Sequence, residues 1–125
     1  ALAKLLTESI GVSLQVSQEE DLDKVTAVAG SGTGYAFEII RCWVEAAQSI
    51  GLSASVSKEL VLATIGGAVD LASVKPDSIE TLRDSVTSPK GTTAAGLEQL
   101  RKNDAMETLM KATVDAALAR AIDLR

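Results

Sequence analysis

Three observations predict an all-α fold. Aromatic residues make up 2% of the 125-residue chain, namely Tyr35, Phe37 and Trp43, so a core must be packed from Leu, Ile, Val and Ala. Ala and Leu are strong helix formers. Apolar residues recur at helical spacing through most of the chain, while only residues 12–16 show a clean strand pattern. The length is that of one domain, and 46% hydrophobic with 23% charged residues is ordinary for a globular chain.

The elements follow in order. Leu2, Leu5, Leu6 and Ile10 predict an amphipathic helix over 1–10, stopped by Gly11. Residues 12–16, VSLQV, alternate with period two. A lone strand is not stable, so it pairs with a second copy or belongs to a sheet outside this chain. Ser17 and Glu20 fit a capping box, predicting a helix from about 18 through 29. Gly30-Ser31-Gly32-Thr33-Gly34 interrupts it.

Helix resumes over 35–49. Ala36, Ile39, Ile40, Trp43, Ala47 and Ile50 share one face and Val44 widens it, which predicts burial on more than one side. Gly51 ends that helix, and Ser57 is the expected N-cap of the next, running to about Val74. Gly66-Gly67 costs about 1 kcal/mol per glycine relative to Ala, a loss that fits a second helix crossing closely. Pro76-Asp77 opens a short helix over 78–85, and a loop over 86–93 follows. Further helices are predicted over 93–102 and from a cap at Asp104 to about Leu124. The apolar face of the last one is Met106, Leu109, Met110, Val114, Ala117, Leu118 and Ile122. So much apolar helix surface exceeds what one small layer can cover, which predicts a dimer.

Composition excludes several functions. With no His, neither Ser-His-Asp nor Cys-His catalysis nor His-bound zinc is available. A single cysteine, Cys42, rules out an intrachain disulfide and fits a reducing, cytoplasmic setting. It is expected to be a small buried hydrophobe. A net charge of −5 argues against nucleic acid. The uncharged stretch over 25–37 is only 13 residues, too short for a membrane span. No signal peptide opens the chain, and Ala at the first position fits a trimmed product. The acidic cluster of Glu19, Glu20, Asp21 and Asp23 is expected to decorate a helix start rather than bind metal, and Glu107–Lys111 to pair on the surface.

Two loops could carry chemistry. The glycine run 30–34 superficially suggests a dinucleotide fingerprint. However, Tyr35 stands where Gly or Ala is needed, and the segment 52–57 supplies no acid. It reads instead as a tight turn with closely approaching backbones. The loop 86–93 offers the hydroxyls of Ser88, Thr92 and Thr93 and, around Gly91, amides opening a helix. Such amides bind carboxylates or phosphates, although a Ser/Thr-rich helix start is more often simply a cap. Arg83, Asp84 and Lys90 read as solvated surface charges.

Both loops match a known pattern. Asp23-x-Val25-Thr26-Ala27-Val28-Ala29-Gly30-Ser31-Gly32, followed by Tyr35 and Phe37, resembles the start of the C-terminal domain of the pyrroline-5-carboxylate reductases. Leu82-x-Asp84-x-Val86-Thr87-Ser88-Pro89-x-Gly91-Thr92-Thr93-x-x-Gly96-Leu97-x-x-Leu100 resembles that family's most specific motif. Together with the closing Ala119-Arg120-Ala121, the resemblance covers nearly the whole chain.

The resemblance implies reduction of pyrroline-5-carboxylate to L-proline with NADPH or NADH, in proline biosynthesis. It implies an N-terminal Rossmann domain that binds the cofactor, of which residues 1–16 would be the tail. Residues 17–125 would be a helical domain interlocked with its twin as a homodimer, with dimers able to form rings. It implies a substrate site at Val86, Ser88, Gly91, Thr92 and Thr93, with helix-start amides on the carboxylate and Thr93 as the catalytic contact to the ring nitrogen.

This chain departs from the pattern in four ways. Thr33-Gly34 replaces Pro-Ala, Lys90 replaces Gly, the segment 76–83 is longer, and Ser73, Val74 and Lys75 stand where an acid often precedes Pro76. The alternative is a non-catalytic helical oligomerisation module. A G-x-G-x-x-G unit encoded upstream of Ala1 separates the two readings.

Overall fold

The computed structural model of the chain describes residue 8 and residues 14–124. All described elements are helical. They are α1 (Glu19–Val25), a π-helical turn (Thr26–Gly30), α2 (Gly32–Ser49), α3 (Ala54–Val74), α4 (Ile79–Ser85), α5 (Thr92–Arg101), a 3-10 turn (Lys102–Asp104) and α6 (Ala105–Asp123). Apart from residue 8, the predicted helix over 1–10 lies outside the described residues, as do residues 12 and 13. Residues 14–16 have no regular structure, so the expected strand is absent there.

Helix α1 starts after Gln18, whose backbone is extended and whose side chain makes no cap bond. Ser17 is therefore not the cap. The start is favoured instead by Glu19, Glu20 and Asp21 in the first turn, as expected for acids near the positive helix end. The glycine run does not break the helix. Ser31 N–H donates to Thr26 O at 2.9 Å, five residues back, so the chain widens into one π turn and continues as α2. Ala27 is fully buried in that turn, and its carbonyl accepts from the Tyr35 hydroxyl at 3.1 Å. Beyond a Cβ built on Gly32 or Gly34 lies open space, so the close backbone approach expected there does not occur within one chain.

Helices α2 and α3 form an antiparallel hairpin. Gly51 at φ 102 takes the left-handed conformation that ends α2. Ser53, extended at ψ 157, then accepts from Val56 N–H at 3.4 Å as the N-cap of α3. This cap lies one turn before the predicted Ser57. Ser57 is instead fully buried inside α3, its Oγ without a hydrogen-bond partner. It shares an i, i+4 stripe with buried Val61 and half-buried Ile65, on a helix whose packing within the chain is against α2. The outward side of α2 carries a clamp, Arg41 donating to Glu38 at 2.6 and 2.8 Å and to Glu45 at 2.6 Å. The guanidinium holds the Glu38 carboxyl below its usual range. Cys42, expected to be buried, is exposed beside this clamp.

The second group is α6 laid across the π turn, α1 and α5. Asn103 and Asp104 turn the chain into α6 in the left-handed conformation, which these two residue types tolerate. Asp104 holds the predicted cap position, but its side chain makes no cap bond. Lys111 pairs with Asp115 rather than with Glu107.

A compact chain of this mass exposes about 6,300 Å², whereas this one exposes 9856 Å². Only Ala27, Val61 and Ser57 are buried among the described residues. Phe37, Trp43, Leu60 and Val69 stand 46–66% exposed along the hairpin. A Cβ on Gly66 or Gly67 would meet nothing within 4 Å, so no described helix of this chain crosses there. A helix apolar on all sides requires cover on all sides, and one chain covers only one side of α3. No described helix is long and apolar enough to cross a membrane.

Candidate functional site

The predicted site residues lie in the short connection between α4 and α5 and in the first turn of α5. Ser78 caps α4, its Oγ accepting from Thr81 N–H at 3.2 Å. At the other end Thr87 closes α4. Its N–H donates to Asp84 O at 3.1 Å and its hydroxyl to Arg83 O at 2.7 Å. The Thr87 hydroxyl is thereby committed to structure, and Arg83 pairs with Asp84 at 2.8 Å. Val86, 61% exposed, presents its isopropyl group to solvent just before the loop.

Ser88-Pro89-Lys90-Gly91 forms a β-turn closed by Gly91 N–H donating to Ser88 O at 3.0 Å. Lys90 has φ 60. Proline at the second position with positive φ at the third is the type II arrangement, which ordinarily takes Gly at the third position. Gly91 is favoured for a different reason. Its φ of −81 suits any residue, but a Cβ there would lie 2.3 Å from Ser88 Oγ and 3.2 Å from Ser88 O. A side chain at residue 91 would have to displace the Ser88 hydroxyl and press on the Ser88 carbonyl.

This turn delivers Gly91 as the N-cap of α5, and no side chain caps the helix. Ala95 N–H is the first to be satisfied, donating to Gly91 O at 3.2 Å. The N–H groups of Thr92, Thr93 and Ala94 find no acceptor among the described residues, and the hydroxyls of Ser88, Thr92 and Thr93 make no hydrogen bond with them. Helices α3 and α4, in contrast, begin on capping serines. The cap explanation for Thr92 and Thr93 therefore fails on geometry. What remains is three amide donors and three hydroxyls grouped at the positive end of a 10-residue helix, an arrangement suited to a carboxylate or phosphate.

A cleft of about 660 Å³ is lined by Arg83, Thr87, Leu97, Arg101, Lys102 and Glu107 among others. None of Val86, Ser88, Gly91, Thr92 or Thr93 lines it. They lie on open surface, exposed apart from half-buried Gly91. The described residues contain no cluster able to hold a metal ion. The run Gly30-Ser31-Gly32-Thr33-Gly34 lies in continuous helical backbone and makes no phosphate cradle. Two details escaped the sequence reading, the structural use of Thr87 and the left-handed Lys90. Pro89 before Lys90 was the signal for the second.

Comparison with known proteins identifies this architecture. The profile described as pyrroline-5-carboxylate reductase dimerisation matches residues 19–124. Pyrroline-5-carboxylate reductase 2 of Bacillus subtilis is 40% identical over 115 residues, spanning 92% of this chain and 41% of that protein. The Pseudomonas aeruginosa pyrroline-5-carboxylate reductase is 34% identical over 119 residues, spanning 95% and 43%. The structure of a pyrroline-5-carboxylate reductase from Coxiella burnetii superposes with TM-score 0.94 at 33% identity, covering 98% of this chain and 45% of that one. The Plasmodium falciparum pyrroline carboxylate reductase, solved with NADP bound, superposes with TM-score 0.88 at 32% identity, covering 96% and 45%. The chain thus spans less than half the length of these relatives. It belongs to the pyrroline-5-carboxylate reductase dimerisation family, a family of self-associating helical domains.

Proposed function

We propose that this chain is the C-terminal, substrate-binding part of a two-domain reductase that converts 1-pyrroline-5-carboxylate to L-proline in the cytoplasm. One observation carries the reading. The segment Ser88-Pro89-Lys90-Gly91-Thr92-Thr93 presents hydroxyls at Ser88, Thr92 and Thr93, and amides at Thr92 and Thr93, that find no partner among the described residues. The N–H groups at the start of α5, with Ser88 and Thr92, hold the substrate carboxylate, and Val86 and Gly91 shape the adjoining wall. Thr93 reaches the ring nitrogen and orients the C=N bond.

Reduction adds a hydride to the imine carbon and a proton to nitrogen. The described residues provide no nucleotide cradle, so the nicotinamide cofactor, NADPH or NADH, which supplies the hydride, is assigned to an N-terminal domain of which residues 1–16 are the tail. Residues 17–125 form the helical domain. The uncovered faces of α2 and α3 fit a second copy interlocked with the first, and such dimers can build rings.

The test is a spectrophotometric assay. The full-length protein is expected to oxidise NADPH in the presence of pyrroline-5-carboxylate, while the 125-residue chain alone is inactive. Full-length protein without turnover leaves only an oligomerisation role. Turnover by the isolated chain overturns the division of labour.

A further inference from the structure

We propose that Lys90 is a further substrate-binding residue of this site, an added cation that strengthens the hold on the substrate carboxylate. The inference rests on the reading of the 88–93 loop as the substrate site. Three residues other than glycine have positive φ among the described residues, namely Lys90, Asn103 and Asp104. Asn and Asp enter the left-handed region readily because their short side chains bond locally, whereas lysine gains nothing of that kind there. The type II turn set by Pro89 would be met at lower cost by Gly. A lysine therefore stands at the one loop position where its backbone is least suited.

Its surroundings point to a use for the charge. Lys90 is exposed and forms no ion pair with a described carboxylate, since Asp84 on the preceding helix is held by Arg83. It lies beside the amides of Thr92, Thr93 and Ala94 and the hydroxyls of Thr92 and Thr93, which already form an anion-suited cluster. A flexible four-carbon stem lets the ammonium reach an anion seated on those amides from the solvent side. The amides fix where the carboxylate sits, and Lys90 adds charge without fixing geometry. The effect is thus on binding and falls with salt.

The experiment uses the full-length protein with pyrroline-5-carboxylate and NADPH, comparing wild type, Lys90→Gly, Lys90→Met and Lys90→Arg. Lys90→Gly and Lys90→Met are each expected to raise the KM for pyrroline-5-carboxylate roughly three- to tenfold at low salt, with kcat changing less than twofold. The gap should narrow as salt rises. Lys90→Arg should restore the low KM. Lys90→Gly should also melt at a higher temperature than wild type, which shows that a raised KM does not come from unfolding. An unchanged KM for pyrroline-5-carboxylate, or a change confined to the KM for NADPH, overturns the role of Lys90. Absence of turnover in the wild type instead removes the reductase reading on which it rests.

Discussion

Replacing Thr93 with valine in the full-length protein separates a substrate contact from a helix cap. The two side chains have nearly the same shape and both are β-branched, so the helix propensity of the first turn of α5 barely changes. Thr93 Oγ1 makes no hydrogen bond among the described residues, and Gly91, not a side chain, occupies the N-cap. No cap energy is lost, and the change in stability should stay within about 0.5 kcal/mol, as for an ordinary exposed substitution. Catalysis should respond differently. A substrate nitrogen that loses its polar partner costs about 1.4–3 kcal/mol, a fall of roughly 10- to 200-fold in kcat/KM for pyrroline-5-carboxylate. The KM for NADPH should not move, because no dinucleotide contact is assigned to this loop. The assay is steady-state kinetics at varied pyrroline-5-carboxylate, with a thermal melt of the same samples. A kcat/KM within twofold of wild type would refute the assignment of Thr93. A melting point lowered by several degrees with normal kinetics would restore the cap explanation.

Other consequences are equally direct. Gly91→Ala drives a Cβ against Ser88 Oγ at 2.3 Å and should cut kcat/KM at least tenfold, with partial recovery in the Ser88→Ala/Gly91→Ala double variant; an additive double variant would mean the clash is not with the serine hydroxyl. Ser57→Ala removes a buried hydroxyl without a partner and replaces it with a better helix former, so stability should rise by about 1–2 kcal/mol in a urea titration. A loss of stability instead would show that the hydroxyl finds its partner across the assembly. Light scattering of the 125-residue chain at micromolar concentration should give about twice 13.0 kDa. A monomer would contradict the need to cover the exposed faces of α2 and α3.

The sequence by itself determined the helical class, the number of long helices and most of their ends, because these depend on local periodicity and on residues such as Gly51 and Ser78. It also marked the 86–93 loop through Ser88-Pro89-x-Gly91-Thr92-Thr93, a motif readable without coordinates. The tertiary structure decided what each polar group does. Ser53 and Ser57 both stand near the start of one apolar stretch, and only the fold shows that one caps the helix while the other is buried in it. The glycine run 30–34 has turn-forming composition, yet packing of the π turn against α6 and the Tyr35 hydroxyl on the buried Ala27 carbonyl keep the backbone helical. Thr87 and Thr93 are chemically alike in sequence. The backbone closing α4 consumes the hydroxyl of Thr87 and leaves that of Thr93 free. Local preference specifies where a helix forms, while the availability of a hydroxyl depends on which distant or turn-related acceptor lies within 3 Å, and that is set only when the chain is folded.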